Sequence, residues 1–242
     1  MEIGISEAVL VAAAFLVALG NAVLGATGGL LLAVMATAFP PPLIIPAHAA
    51  IEAARNGLAW WRLRRRVTTQ IVIAIGVGSL VAVGLAAPFT RVVPAAVQAV
   101  LIGAFLIWAC WWPAPDPGRR FDYRLPLLGG LTGACSVFLG ETGPLVRPFI
   151  ADEPIEPSRI PGTLAAVMTC QHGFKVVAFT VIGAAYLPLI PLLATMMAAG
   201  ALGTAIGERV TVRLPGPLIS LGIRLVVTAL AIRLIVVDTG LL

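Results

Sequence analysis

Glu141 and Arg147 lie six residues apart in "LGETGPLVRPF", on either side of Gly143 and Pro144, in an otherwise apolar stretch. A charge at bilayer depth costs roughly 2.5–3.5 kcal/mol on insertion scales, so such residues mark either function or a neutralising pair. On a continuous helix the two would fall on different faces, whereas a chain reversal at Gly143–Pro144 would bring them together. Two chemistries follow. Either they form a structural ion pair, or the planar fork of Arg147 contacts an oxyanion while Glu141 carries a proton. Upstream, "AHAAIEAARNGLAWW" sets His48, Glu52, Arg55 and Asn56 at helical steps of four and three, on one face. There Glu52 and Arg55 either neutralise each other or join a ligand site, and His48 is expected near a helix end in headgroup water. The corresponding stretch later in the chain places Thr163, Val167, Cys170 and Gln171 at those positions, followed by His172 and Lys175. Amides at matching places, Asn56 and Gln171, read as two neutral hydrogen-bonders around one ligand.

Other chemistries find no support in the residues. The two histidines are 124 positions apart without clustered carboxylates or thiolates, so no metal site is expected, and no cofactor motif is present. None of Ser6, Ser79, Ser136, Ser158 and Ser220 stands in a G-x-S-x-G context, and no P-loop occurs, which argues against an enzyme and against direct use of ATP. Cys110, Cys135 and Cys170 are widely spaced in apolar surroundings and read as packing residues. The net charge of +5 comes from arginines at helix ends and is no sign of nucleic-acid binding.

The elements that must position these residues follow from composition. Of 242 residues 60% are hydrophobic and 11% charged, and the mean hydropathy is +1.02, which is the balance of an integral membrane protein. Apolar runs at Ala8–Leu24, Ile71–Ala87, Val92–Trp112, Leu187–Ile206 and Leu218–Val237 are each near the ~20 residues that span a bilayer as a helix. Ala47–Trp61 and Gly162–Ala185 are apolar with polar insertions and read as helices lining something wet. The blocks do not alternate, which excludes a β-barrel. The N-terminus lacks a basic n-region and is expected to belong to the mature chain.

Displacing the chain by 115 residues lays "LGATGGLLLAVMATAFPPPLIIPAHAA" over "LGETGPLVRPFIADEPIEPSRIPGTLA" without a gap. Identities include Leu24 with Leu139, Gly25 with Gly140, Thr27 with Thr142, Gly28 with Gly143, Pro46 with Pro161 and Ala50 with Ala165. The expected organisation is two transmembrane repeats, 1–115 and 116–242, each a broken or re-entrant segment, a second segment opened by Pro46 or Pro161, and two ordinary spans. Segments interrupted by Gly and Pro at matching places in two halves point to a transporter's binding site. Treating each broken segment as re-entrant places Arg62–Arg66, the cluster Arg119, Arg120 and Arg124, and the pair Arg209 and Arg213 on one side, as the positive-inside rule requires. Three crossings per repeat would then make the repeats inverted, with residues near Pro42 and Asp238 opposite Arg64, Asp122 and Arg213. At each break a half-helix restarts, at Gly28–Gly29 and at Gly143–Pro144, and its unpaired N–H groups and partial positive charge would seat an anion. The plainer reading is that these glycines serve close helix packing.

The chain resembles the TauE/SafE sulfite exporter family of membrane permeases. "GATGGLLLAV" corresponds to that family's first glycine-rich motif and "GETGPLVRPF" to its second, and the likeness covers nearly the whole chain. Thr27 and Thr142 depart from central glycines, the first half lacks the proline that Pro148 supplies in the second, and Glu141 and Arg147 add charge. The resemblance implies transport of a small anion such as sulfite, sulfoacetate or another organosulfonate in a bacterial inner membrane.

The reading as a whole is an all-α polytopic membrane protein, a secondary transporter acting as an exporter. Its anion would be bound near the midplane between the two broken helices. Thr27, Gly28, Gly29, Asn56, Thr142, Gly143, Arg147 and Gln171 are the expected substrate contacts, and Glu141 the candidate for proton coupling. The partners are the anion, the lipid bilayer and a proton, with no nucleic acid; a homodimer is compatible with the chain. The alternative is a non-transporting scaffold or subunit of a membrane complex.

Overall fold

The structure is a computed structural model and describes residues 7–24, 28–118, 120–184, 187–207, 209 and 216–240. Among these the chain is helical, with no strand. The helices are α1 (Glu7–Leu24), α2 (Gly28–Met35), α3 (Pro41–Leu63), α4 (Thr69–Ala86), α5 (Ala95–Trp111), α6 (Arg124–Leu139), α7 (Gly143–Asp152), α8 (Ile160–Val181), α9 (Ile190–Gly207) and α10 (Gly216–Thr239). Among the described residues four stretches, Thr69–Arg91, Pro157–Val181, Ile190–Gly207 and Ser220–Thr239, are long and apolar enough to cross a membrane. One of these lies before residue 115 and three after it, and Glu7–Gly20, Ala95–Trp111 and Arg124–Leu139 are shorter apolar helices. Thr27, Arg119 and Arg213 lie outside the described residues.

One boundary differs from expectation. Pro161 sits in the first turn of α8, but Pro46 lies inside α3, which already begins at Pro41. Pro41 and Pro42 occupy the first turn, where a missing N–H costs nothing. Pro46 lies a turn further in, and there it removes one i to i−4 bond.

The helices form two compact units, each assembled from both halves of the chain. The first holds α1, α2, α3 up to Ile51, α5, α9 and α10; α1 packs along α9 and α5 along α10. Close approach there depends on small residues. A Cβ on Gly203 would overlap the Phe15 carbonyl, and one on Gly103 would come within 2.7 Å of Ile235. Trp111 Nε1 donates to Thr228 Oγ1 at 2.8 Å across the second of these pairs.

The second unit holds α3 from Glu52, α4, α6, α7 and α8. Helix α4 shows how a lipid-facing helix reads. Ile71, Ile75, Ser79 and Val83, at steps of four, are buried, while Ile73, Val77, Leu80, Val81 and Leu85 are exposed on the other side. Both faces are apolar because the outer solvent is hydrocarbon rather than water. The buried face meets α6 through glycine: a Cβ on Gly129 would collide with the Ile75 carbonyl, one on Gly78 with that of Pro126, and one on Gly133 with Ser79 Cα at 2.8 Å. Such backbone contact between helices is the usual role of small residues in a membrane. Ile71, Ile75, Leu128, Val146, Ile150, Val167 and Met168 close the core of this unit.

Helices α6 and α7 form a broken segment that doubles back. The buried Arg124, at the start of α6, pairs with Asp152 at 2.8 Å and with Glu153, both at the far end of α7, and Arg120 adds a bond to Asp152 at 3.2 Å. The reversal lies at Gly140, whose φ of +82° is in the region that favours glycine and whose N–H caps α6 at the Ser136 carbonyl.

Candidate functional site

The break between α6 and α7 gathers the polar side chains of the second unit. Gly140 ends α6, Glu141 and Thr142 form the link, and Gly143 with Pro144 starts α7. In the first turn of α7, Leu145 and Val146 donate to the Thr142 carbonyl at 2.9 and 3.1 Å, and Pro144 has no N–H. The remaining donor, the Gly143 N–H, goes to Glu141 Oε1 at 2.7 Å. The expected anion seat is therefore filled by a carboxylate of the chain itself, as the partial positive charge of a helix start favours.

Helix α8 runs behind this break. Gln171 and Lys175, four residues apart and both buried, share a face, with His172 buried beside them. Lys175 Nζ donates to the Gly140 carbonyl at 2.5 Å. Gln171 is the centre of a neutral network: its Oε1 accepts from Thr142 Oγ1, and its Nε2 donates to Ser79 Oγ of α4 and Thr132 Oγ1 of α6, each at 2.9 Å. Ser79 and Thr132 pass their own hydrogens to the Gly129 and Leu128 carbonyls. Both amide hydrogens of Gln171 are thus committed to holding four elements together.

From α3, Glu52 is buried and takes a bidentate pair from Arg55, with Nε at 2.9 Å and Nη2 at 2.5 Å. Asn56 Nδ2 donates to the carboxylate and the backbone carbonyl of the same Glu52, at 3.0 and 2.9 Å. The neutralising pair of the sequence reading is present. The two amides expected around one ligand belong to separate networks, Asn56 to Glu52 and Gln171 to Thr142, Ser79 and Thr132.

Glu52, Glu141 and His172 each bring a ligand-type atom to within 4.8 Å of the others. Sequence reasoning missed this convergence, because the three come from α3, the break and α8. A divalent ion among them would not be balanced. The two carboxylates already face the two cations Arg55 and Lys175, so an added ion would leave two positive charges buried.

Arg147 is placed differently from one expectation. It is exposed and makes no ion pair among the described residues, so the Glu141–Arg147 structural pair does not form. Val146 and Ile150 supply the buried face of α7, and Arg147, one step on from Val146, lies off it. The buried cation near Glu141 is Lys175, which the sequence pattern had put on the right helix without assigning it a role. In the first unit, Gly28 opens α2, and a Cβ on Gly29 would sit 3.0 Å from Leu106. His48 is fully buried in α3 rather than in headgroup water, because the helix starts at Pro41 and puts His48 two turns in.

The model of the sulfite exporter TauE/SafE family matches residues 10–234. No curated protein and no solved structure matches the chain. A match over nearly the whole length of an all-helical apolar chain, with both broken segments inside it, shows that this membrane protein belongs to the sulfite exporter TauE/SafE family of transporters.

Proposed function

We propose that the chain is a non-enzymatic secondary transporter that exports a small oxyanion, sulfite or an organosulfonate, from a bacterial cell, and that the anion is received at the break between α6 and α7. The observation that carries this reading is the convergence of buried Glu141, Glu52, His172 and Lys175, with Arg55, on a point where a helix is interrupted. Broken helix backbone at membrane depth is tolerated where it lines a cavity, and ionisable side chains there are a functional signature. The four formal charges sum to zero, so one anion and one cation can enter together without leaving net charge in hydrocarbon. With no nucleotide-binding motif in the sequence, the driving force is an ion gradient.

Flux into proteoliposomes tests the proposal. Labelled sulfite, sulfoacetate and short sulfonates are offered with carboxylates as controls, with and without an imposed pH gradient. Saturable uptake of a sulfur oxyanion that unlabelled substrate competes away is expected. Its absence for every anion, with the protein folded and inserted, would leave the scaffold reading in its place.

A further inference from the structure

Lys175 has more donors than the chain satisfies. Its Nζ is fully enclosed and gives one N–H to the Gly140 carbonyl. The other two N–H groups have no acceptor, and no carboxylate lies within ion-pair distance, among the described residues. An enclosed ammonium with unmet donors is costly, and an oxyanion is the ligand that would meet them. Three residues along the same break, the Gly143 N–H is already held by Glu141 Oε1 at 2.7 Å, an internal carboxylate standing where an external anion would bind.

The groups facing Glu141 set the electrostatic terms. Glu52 and Arg55 come from α3, and His172 and Lys175 from α8. Helices α4 and α6 contribute the neutral Ser79 and Thr132 to the adjoining network. Two carboxylates and two cations balance. Adding an anion to the ionised cluster would leave an excess negative charge and force it to compete with Glu141 for the same amide.

We propose that Glu141 and the transported anion alternate at the Gly143 amide beside Lys175, so that each anion bound places one proton on Glu141. A proton from water forms the O–H bond on the Glu141 carboxylate, which releases the Gly143 N–H. The anion accepts that N–H and the two unspent N–H groups of Lys175. One positive and one negative charge enter together, and the charge of the site is unchanged. This rests on the reading of the chain as an anion transporter and adds how the same site couples anion to proton.

Calorimetry on the full chain in micelles tests it with methanesulfonate, which carries no titratable group between about pH 4 and 9, or with another such alkylsulfonate of the flux panel if that binds more tightly. Titrations in two buffers of different protonation enthalpy count protons. Wild type is expected to take up close to one proton per anion where Glu141 is ionised, and its affinity to fall by up to about tenfold per pH unit there. Glu141→Gln, a neutral stand-in for the protonated acid, should abolish both the uptake and the pH dependence while keeping anion binding. Lys175→Met should weaken binding by about tenfold or more at every pH. Anion binding without proton uptake in wild type overturns the proposal and leaves the transporter reading standing. So does Glu141→Gln with the wild-type pH profile, which puts the proton on Glu52 or His172. If Glu141→Gln does not fold, Glu141→Met, equally neutral and close in volume, carries the same test, and proton uptake retained in it overturns the proposal. Failure of every anion to bind or move sinks the functional reading itself.

Discussion

Replacing Gln171 with Met removes every polar contact of the residue while nearly keeping its length and volume, so packing is little disturbed. Three bonds are lost, from Thr142 and to Ser79 and Thr132, all at 2.9 Å between buried groups. The consequences differ. Ser79 and Thr132 keep their own donations to the Gly129 and Leu128 carbonyls, so each loses a bond at the roughly 0.6 kcal/mol typical of side chains in membrane helices. Thr142 has no other acceptor for its hydroxyl among the described residues, and a stranded buried donor costs about 1–3 kcal/mol. The expected loss is therefore about 2–4 kcal/mol, read by equilibrium unfolding in mixed micelles with increasing SDS. Adding Thr142→Val should return about 1–2 kcal/mol of it, because the stranded donor is then gone. Stability of Gln171→Met within about 0.5 kcal/mol of wild type, or a double variant as unstable as simple addition requires, would refute the assignment of Gln171 as the tie between α4, α6, α8 and the break.

Gly129→Ala should destabilise the second unit by about 1–3 kcal/mol or more, since its Cβ would meet the Ile75 carbonyl, a backbone atom that cannot step aside. Gly84→Ala, with nothing within 4 Å, should be neutral or stabilising by up to about 1 kcal/mol in the same unfolding assay. Hydrogen bonds from Arg124 and Arg120 hold the Asp152 carboxyl below the usual carboxylate range. A carboxylate depressed in the folded state contributes stability that is fully present above its unfolded pKa and is lost as pH falls through the folded one. Wild type should therefore lose stability on acidification below about pH 4, and Asp152→Asn should flatten that part of a melting-temperature profile.

How much of this was legible in the sequence depends on how local the cause is. The helical membrane class follows from apolar runs matched to bilayer thickness, and the family from two glycine-rich motifs. The restart of a helix at Gly143–Pro144 was equally readable, because a proline suits a first turn by its own chemistry, whereas the reversal expected there falls three residues earlier, at the positive φ of Gly140. So was the Glu52–Arg55 pair, one helical turn apart. The partners across helices were not. Gln171 reaches Ser79 over 92 residues and Lys175 reaches Gly140 over 35, and which side chains meet depends on how each helix is rotated and which neighbour it packs against. In a soluble protein the polar face of a helix gives that rotation away. Helix α4 is apolar on both its buried and its lipid-facing sides, so periodicity carries no such mark, and Gly78, Gly129 and Gly133, whose backbone contacts set the α4–α6 approach, look like any other small residues until the two helices are in contact. Arg147 and Lys175 show the limit most plainly: both are cations in largely apolar stretches of the sequence, and only packing decided that one is exposed and the other enclosed beside the break, because burial is a property of what surrounds a side chain and not of the residue itself.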